Sequence, residues 1–287
     1  MSWIYAVPFL GSIGLGAGTI LEKIILKHKQ VSPKIYQPAG FLAIVIVMIP
    51  LLFFFWKLEA AALSLSNLLI FFAVVIFSIL ANVFVFYSMK WEKLTNLEPA
   101  KLLEPLFVIL LAIVFSFIFG EALFERNFKV IIPAIIAGLA LLFSHLKRHH
   151  LSFNKYFVAA IIGSFFFALE LVISRLILDL YSPISFYFLR SFFVFLVSFV
   201  IFKPNFSKLN YKIKWQIFIA GAIWVVYRVM IYYGYINLGI IFTTLIVMLG
   251  PIFIYLFVWK FLHEKPSWKN ALASVIIIAS VLYALLA

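Results

Sequence analysis

Ten apolar runs, each about as long as a bilayer is thick, leave this chain few ways to fold. They cover about residues 3–26, 35–56, 67–89, 96–119, 128–146, 156–178, 184–202, 213–235, 239–262 and 268–286. A helix rises about 1.5 Å per residue, so each run can cross a hydrocarbon core ~30 Å thick. A spanning helix also satisfies its own backbone donors and acceptors, which lipid cannot do. The connections are short, and none could form a separate soluble domain. Only 11% of the residues are charged, against about 25% in soluble domains, so the chain cannot cover a surface facing water. The expected fold class is an all-α integral membrane protein with ten transmembrane helices. The first run is too long for the core of a cleavable leader, and Met1-Ser2 carries no positive charge ahead of it, so it is expected to stay as a span.

Charge then orients the bundle. After the odd-numbered runs lie fourteen basic residues: Lys27, Lys29, Lys34, Lys90, Lys93, Lys147, Arg148, Lys155, Lys203, Lys208, Lys212, Lys214, Lys265 and Lys269. After the even-numbered runs lie three: Lys57, Arg126 and Lys129. The positive-inside rule therefore puts the odd connections in the cytoplasm and both termini outside, in a multi-pass cell-membrane protein. The same bias accounts for the net charge of +13: the cations hold loops against anionic lipid. No basic stripe with interleaved stacking aromatics is left over, so nucleic acid is not an expected partner. Zero cysteines exclude disulfides, thiolate metal sites and cysteine nucleophiles.

The chain also reads as one unit written twice. The segment from Phe86-Tyr87 to Glu104-Pro105 aligns without a gap on Tyr232-Tyr233 to Gly250-Pro251, which pairs Tyr87 with Tyr233 and Pro105 with Pro251. Gly11-Ser12 matches Gly163-Ser164, Lys23 matches Arg175, and Ser32-Pro33 matches Ser182-Pro183. The halves divide at 1–148 and 149–287. Five helices per copy is an odd number, so the second copy must enter the membrane upside down. Inverted repeats let one scaffold face either side in turn, with the site near the midplane between the halves.

The pattern Leu103-Glu104-Pro105-Leu106-Phe107, followed by an apolar run and Gly120-Glu121, resembles the fourth helix of EamA-type members of the drug/metabolite transporter superfamily. Leu249-Gly250-Pro251-Ile252-Phe253 with Glu264 looks like its second copy, and Ser185-Phe186-Tyr187-Phe188-Leu189-Arg190 is similar to the family's Arg-bearing segment. The resemblance covers nearly the whole chain in two passes. It implies a ten-helix exporter or carrier of metabolites, amino acids or lipophilic compounds. One departure matters: Gly40 stands in the first copy where Arg190 stands in the second, so anion binding there can come from one half only.

Charges inside spans cost about 2.5–3.5 kcal/mol on insertion scales and need a partner or a wet cavity. Glu98, Lys101, Glu104, Glu170, Arg190 and Arg228 are of this kind. In the repeat, Lys101 faces Val247, Glu104 faces Gly250, Arg190 faces Gly40 and Arg228 faces Asn82. The scaffold occurs twice and these charges once, as expected of groups added for a particular solute. Glu170, Arg190 and Arg228 fall at similar depth, and they could bind a zwitterion or an organic anion. The competing structural reading pairs Glu170 with one arginine to fix helix packing. Trp224, Arg228, Ile231 and Tyr235 share one helix face, which suits a cavity wall as well as lipid contact. Glu104 lies deepest in its helix, beside Pro105, whose missing N–H frees a carbonyl; Pro251 should break its own helix in the same way. Glu98 and Lys101 could instead lie near the interface and snorkel.

Two further patterns are read structurally. Gly14 and Gly18 give small-xxx-small spacing for close helix contact rather than a nucleotide loop. His145, His149 and His150 sit among interfacial cations. The expected function is a secondary transporter, an exporter of amphipathic metabolites such as amino acids by alternating access, and not an enzyme. A channel, a non-transporting receptor or a lipid-modifying enzyme is the alternative. No G-x-x-x-x-G-K-[ST] loop supplies ATP drive. Expected partners are a small-molecule solute, membrane lipid and a proton as candidate coupling ion, with the chain a monomer or homodimer and no cofactor.

Overall fold

The computed structural model describes residues 2–120, 123–124, 126–145, 154–253 and 268–286. They form α1 (Ser2–Lys27), α2 (Pro33–Phe55), α3 (Leu65–Trp91), α4 (Leu94–Lys101), α5 (Leu103–Phe119), α6 (Phe128–His145), α7 (Lys155–Ser174), α8 (Pro183–Phe202), α9 (Tyr211–Asn237), α10 (Ile240–Val247) and α11 (Trp268–Leu286). Among the described residues, eight helical stretches are long and apolar enough to cross a membrane. The shorter apolar helices Phe128–Ser144 and Ile240–Phe253 complete the ten-span plan. Phe53, Phe54 and Phe117 are more than 70% exposed, an arrangement that only lipid makes favourable. The division at residues 148 and 149 falls outside the described residues, as do Glu121, Glu264, His149 and His150. The side chains of Glu98 and His145 are outside them too.

Equivalent sequence signals produce equivalent local structure. Ser32 and Ser182 are the N-caps of α2 and α8, and each is followed by proline in the first turn, where a missing N–H costs nothing. The fourth span breaks at Leu102, between α4 and α5, and the ninth breaks at Met248–Leu249, after α10. Each break lies within one turn ahead of a matched proline, Pro105 or Pro251. Neither ring nitrogen can bond the carbonyl four residues back, at Lys101 or Val247, so the ladder opens at the same place in both copies.

The halves are interleaved rather than side by side. The first helix of each copy packs on the third helix of the other, α1 on α9 and α7 on α3, while α2 faces α8 and α6 faces α11. Small residues set the spacing. A Cβ on Gly18 would stand 3.1 Å from Trp224 of α9, and one on Gly163 only 2.6 Å from Val85 of α3. Close approach of this kind holds membrane helices together where lipid removes the hydrophobic drive.

The two ends of the bundle close differently. At the α2–α3 end, the connection after α2 is stitched to the one before α8. Ser182 Oγ donates to the Phe55 carbonyl at 2.6 Å, Lys57 N–H to Ser185 Oγ at 2.8 Å, and Glu59 N–H to the Leu180 carbonyl at 2.9 Å. At the opposite end, Val31, Leu209 and Ile213 belong to an apolar cluster. There, among the described residues, no hydrogen bond joins the α1–α2 connection to the α8–α9 connection.

Candidate solute-binding site

A cavity of about 80 Å³ lies between the halves, room for a few water molecules. Both copies build its wall at matched positions: Gly40 with Arg190, and Asn82 with Arg228. The cavity therefore straddles the pseudo-two-fold relation of the repeats. On the Gly40 side a Cβ would meet only Tyr36, at 3.9 Å, so the residue standing opposite Arg190 leaves open space.

The charges expected from the sequence converge here. Arg190 and Arg228 line the cavity on α8 and α9, Glu104 on α5 and Lys101 on α4, with Trp224 one turn of α9 before Arg228. Glu170 is fully buried behind them. Its Oε1 lies 3.0 Å from Arg190 Nε and accepts a hydrogen bond from Tyr232 Oη at 2.8 Å, and its Oε2 lies 3.8 Å from Arg228 Nη1. Glu170 thus bridges two arginines, where the competing structural reading foresaw one. Arg190 also donates to Ser78 Oγ at 2.6 Å and lies over the Tyr187 ring, while Arg228 lies over Phe167 and Tyr227. Even so, Nη1 of each arginine makes no hydrogen bond to a described residue. A bridged arginine pair with donors to spare can take an anionic group without further rearrangement.

Glu104 stands in the first turn of α5, directly after the break, where the helix N-terminus favours negative charge. It forms no hydrogen bond or ion pair with a described residue. Pro105 and Pro251 line an adjoining cavity of about 130 Å³, which shares Lys101, Glu104 and Tyr227 with the first. Lys101 lines both cavities and is not an interfacial side chain. Tyr235 does not line either cavity; it is buried in the apolar core. The aromatic stripe from Trp224 to Tyr235 runs about 16 Å along α9, and its far end packs in that core.

Glu22 joins the wall without having been read from the sequence. It is 6% exposed on α1 and accepts a hydrogen bond from Tyr36 Oη at 3.2 Å. It stands one turn from the end of α1, beside Lys23. The repeat held the missing signal, since Glu22 matches Ser174 and is another charge that occurs only once.

Comparison with known proteins follows the same lines. Residues 154–286 match the EamA-like transporter family. The second half of this chain is similar to the EamA-like transporters. No curated protein matches the sequence. A crystal structure of another protein shares the fold with a TM-score of 0.68 at 16% identity, covering 99% of this chain and 96% of that one. The EamA-like match spans α7 to α11, and the structural likeness carries the same architecture over the whole length. The EamA-like match implies a membrane transporter of small solutes, and the long apolar helices fit a place among lipid.

Proposed function

We propose that this EamA-like chain is a secondary carrier that exports small amphipathic metabolites, such as amino acids, by alternating access. The halves 1–148 and 149–287 are the two bodies that rock, and Glu104, Arg190, Arg228 and Trp224 contact the solute. One observation carries the reading: a cavity between inverted halves is walled by charges of both signs whose bonding is incomplete. Arg190 and Arg228 take the anionic group, held in place by Glu170. Tyr235 supports Arg228 from the core rather than touching solute. Pro105 and Pro251 give α5 and the helix after α10 the breaks about which the cavity changes shape. Glu104 is the candidate proton-coupling group.

The hydrogen bonds that join the connection after α2 to the one before α8 support a conformation held shut at that end. With both termini outside, as the distribution of Lys and Arg implies, the stitched end faces outward. A cysteine at Ser2 should then react with an impermeant reagent in intact cells, and one replacing Lys208 only after permeabilisation. The site itself is tested by Arg228→Ala in proteoliposomes. Losing an ionic hydrogen bond worth about 1.5–3 kcal/mol weakens half-saturation for a carried amino acid by roughly ten- to hundredfold. Unchanged saturation would remove Arg228 from the site.

A further inference from the structure

Glu22 has no part in the reading above, and its surroundings are those of a ligand group rather than a structural one. Three carboxylates gather at the centre of the bundle. Glu170 is held by two arginines, whereas Glu22 has the single hydrogen bond from Tyr36 and no ion pair with a described residue. Lys101 and Arg228 are within electrostatic reach of it without pairing with it. A carboxylate held this way inside a span persists where a cavity or a cationic guest compensates it.

The walls beside Glu22 are aromatic. Tyr36 meets Phe86 edge to face with ring centres 4.8 Å apart, and both line the cavity with Trp224. The indole N–H of Trp224, on the same cavity wall as Glu22, is buried and completes no hydrogen bond with any described residue. A carboxylate among aromatic rings is the setting that attracts an organic ammonium group, through charge and through the ring quadrupoles together. The arginines cannot serve that group, because they present only donors.

We infer that Glu22 holds the cationic amine of the transported solute, in a box formed by Tyr36, Phe86 and Trp224. The inference rests on the carrier reading and deepens it: the solute carries an amine beside an apolar or aromatic body, and Glu22 discriminates amines from plain carboxylic acids. Glu22→Gln keeps an acceptor for Tyr36 while removing the charge, and Glu22→Asp keeps the charge.

Three probes sharing one ring separate the groups: phenylalanine, phenethylamine without the carboxylate, and 3-phenylpropionate without the amine. Their affinities are read from concentration-dependent thermal stabilisation of the purified full chain, and their transport from flux in proteoliposomes. Glu22→Gln is expected to weaken both amine-bearing probes by roughly ten- to hundredfold, leave 3-phenylpropionate within about twofold, and be partly rescued by Glu22→Asp. Equal weakening of all three probes, or an unchanged amine affinity, overturns the inference. A wild-type protein that binds and carries the acid but neither amine also overturns it and leaves the carrier reading intact. One that binds phenethylamine through Glu22 yet moves no probe supports the subsite and removes the carrier reading.

Discussion

The guanidinium of Arg190 lies 3.0 Å from the carboxylate of Glu170, and the two side chains are 2% and 0% exposed. Removing the acid leaves two buried arginines facing each other without their shared counter-charge. Glu170→Ala is expected to destabilise the protein by about 3–5 kcal/mol, read as thermal unfolding in detergent. Arg190→Ala should cost less, because Arg228 and Tyr232 still reach Glu170. Equal losses for the two variants would contradict this account of the bridge.

The apolar runs were legible because lipid imposes a length on every helix, and the two breaks were legible because Pro105 and Pro251 recur at matched places. Depth was harder to read. Glu22 and Lys23 are neighbours one turn from the end of α1, yet Glu22 turns into the cavity while Lys23 bonds the carbonyls of Met89 and Glu92. Which way a side chain points near a helix end depends on what packs there, and a single sequence does not carry that. The partner of Glu170 was open for the same reason. Depth alone put two arginines beside it, and only the crossing of α7, α8 and α9 joins it to both.

Two glycines should respond in opposite ways. A Cβ on Gly163 would stand 2.6 Å from Val85 and 3.1 Å from the Ala81 carbonyl, so Gly163→Leu should separate α7 from α3 and abolish stable expression. Gly40→Ala has room and should leave stability unchanged. Gly40→Phe should fold, because the added ring fills the cavity, but lose transport. Expression measured by fluorescence-detected size-exclusion chromatography, paired with flux, separates the two cases.

Glu59 has a φ of −79° and donates its N–H to the Leu180 carbonyl at 2.9 Å. Glu59→Pro suits that backbone but deletes the donor, loosening the stitched end. A cysteine replacing Tyr187 should then react faster with an impermeant maleimide applied from the outer side. An unchanged rate would show that this hydrogen bond does not restrain opening.

Glu92, just beyond α3, accepts hydrogen bonds from Lys93 N–H, Asn96 and Asn154. These bonds, the backbone one foremost, hold its carboxyl below the ordinary value of 4.5. A depressed folded pKa contributes stability that is present above the unfolded value and lost as pH falls through the folded one. Glu92→Gln should therefore be less stable than wild type at neutral pH, and the difference should close as the medium is taken below about pH 4. A gap that persists unchanged in acid would rule out this ionisation as its cause.

The central claim is that one cavity between inverted halves opens to each side in turn, and counterflow tests it most directly. Proteoliposomes loaded with unlabelled phenylalanine and diluted into a trace of the labelled compound should accumulate label transiently above equilibrium. Arg228→Ala protein reconstituted to the same density should show that overshoot reduced. Saturable, accelerated exchange is the behaviour of a carrier whose loaded site reorients. Wild-type flux that rises linearly with concentration and shows no overshoot would mark an open pore and contradict the account.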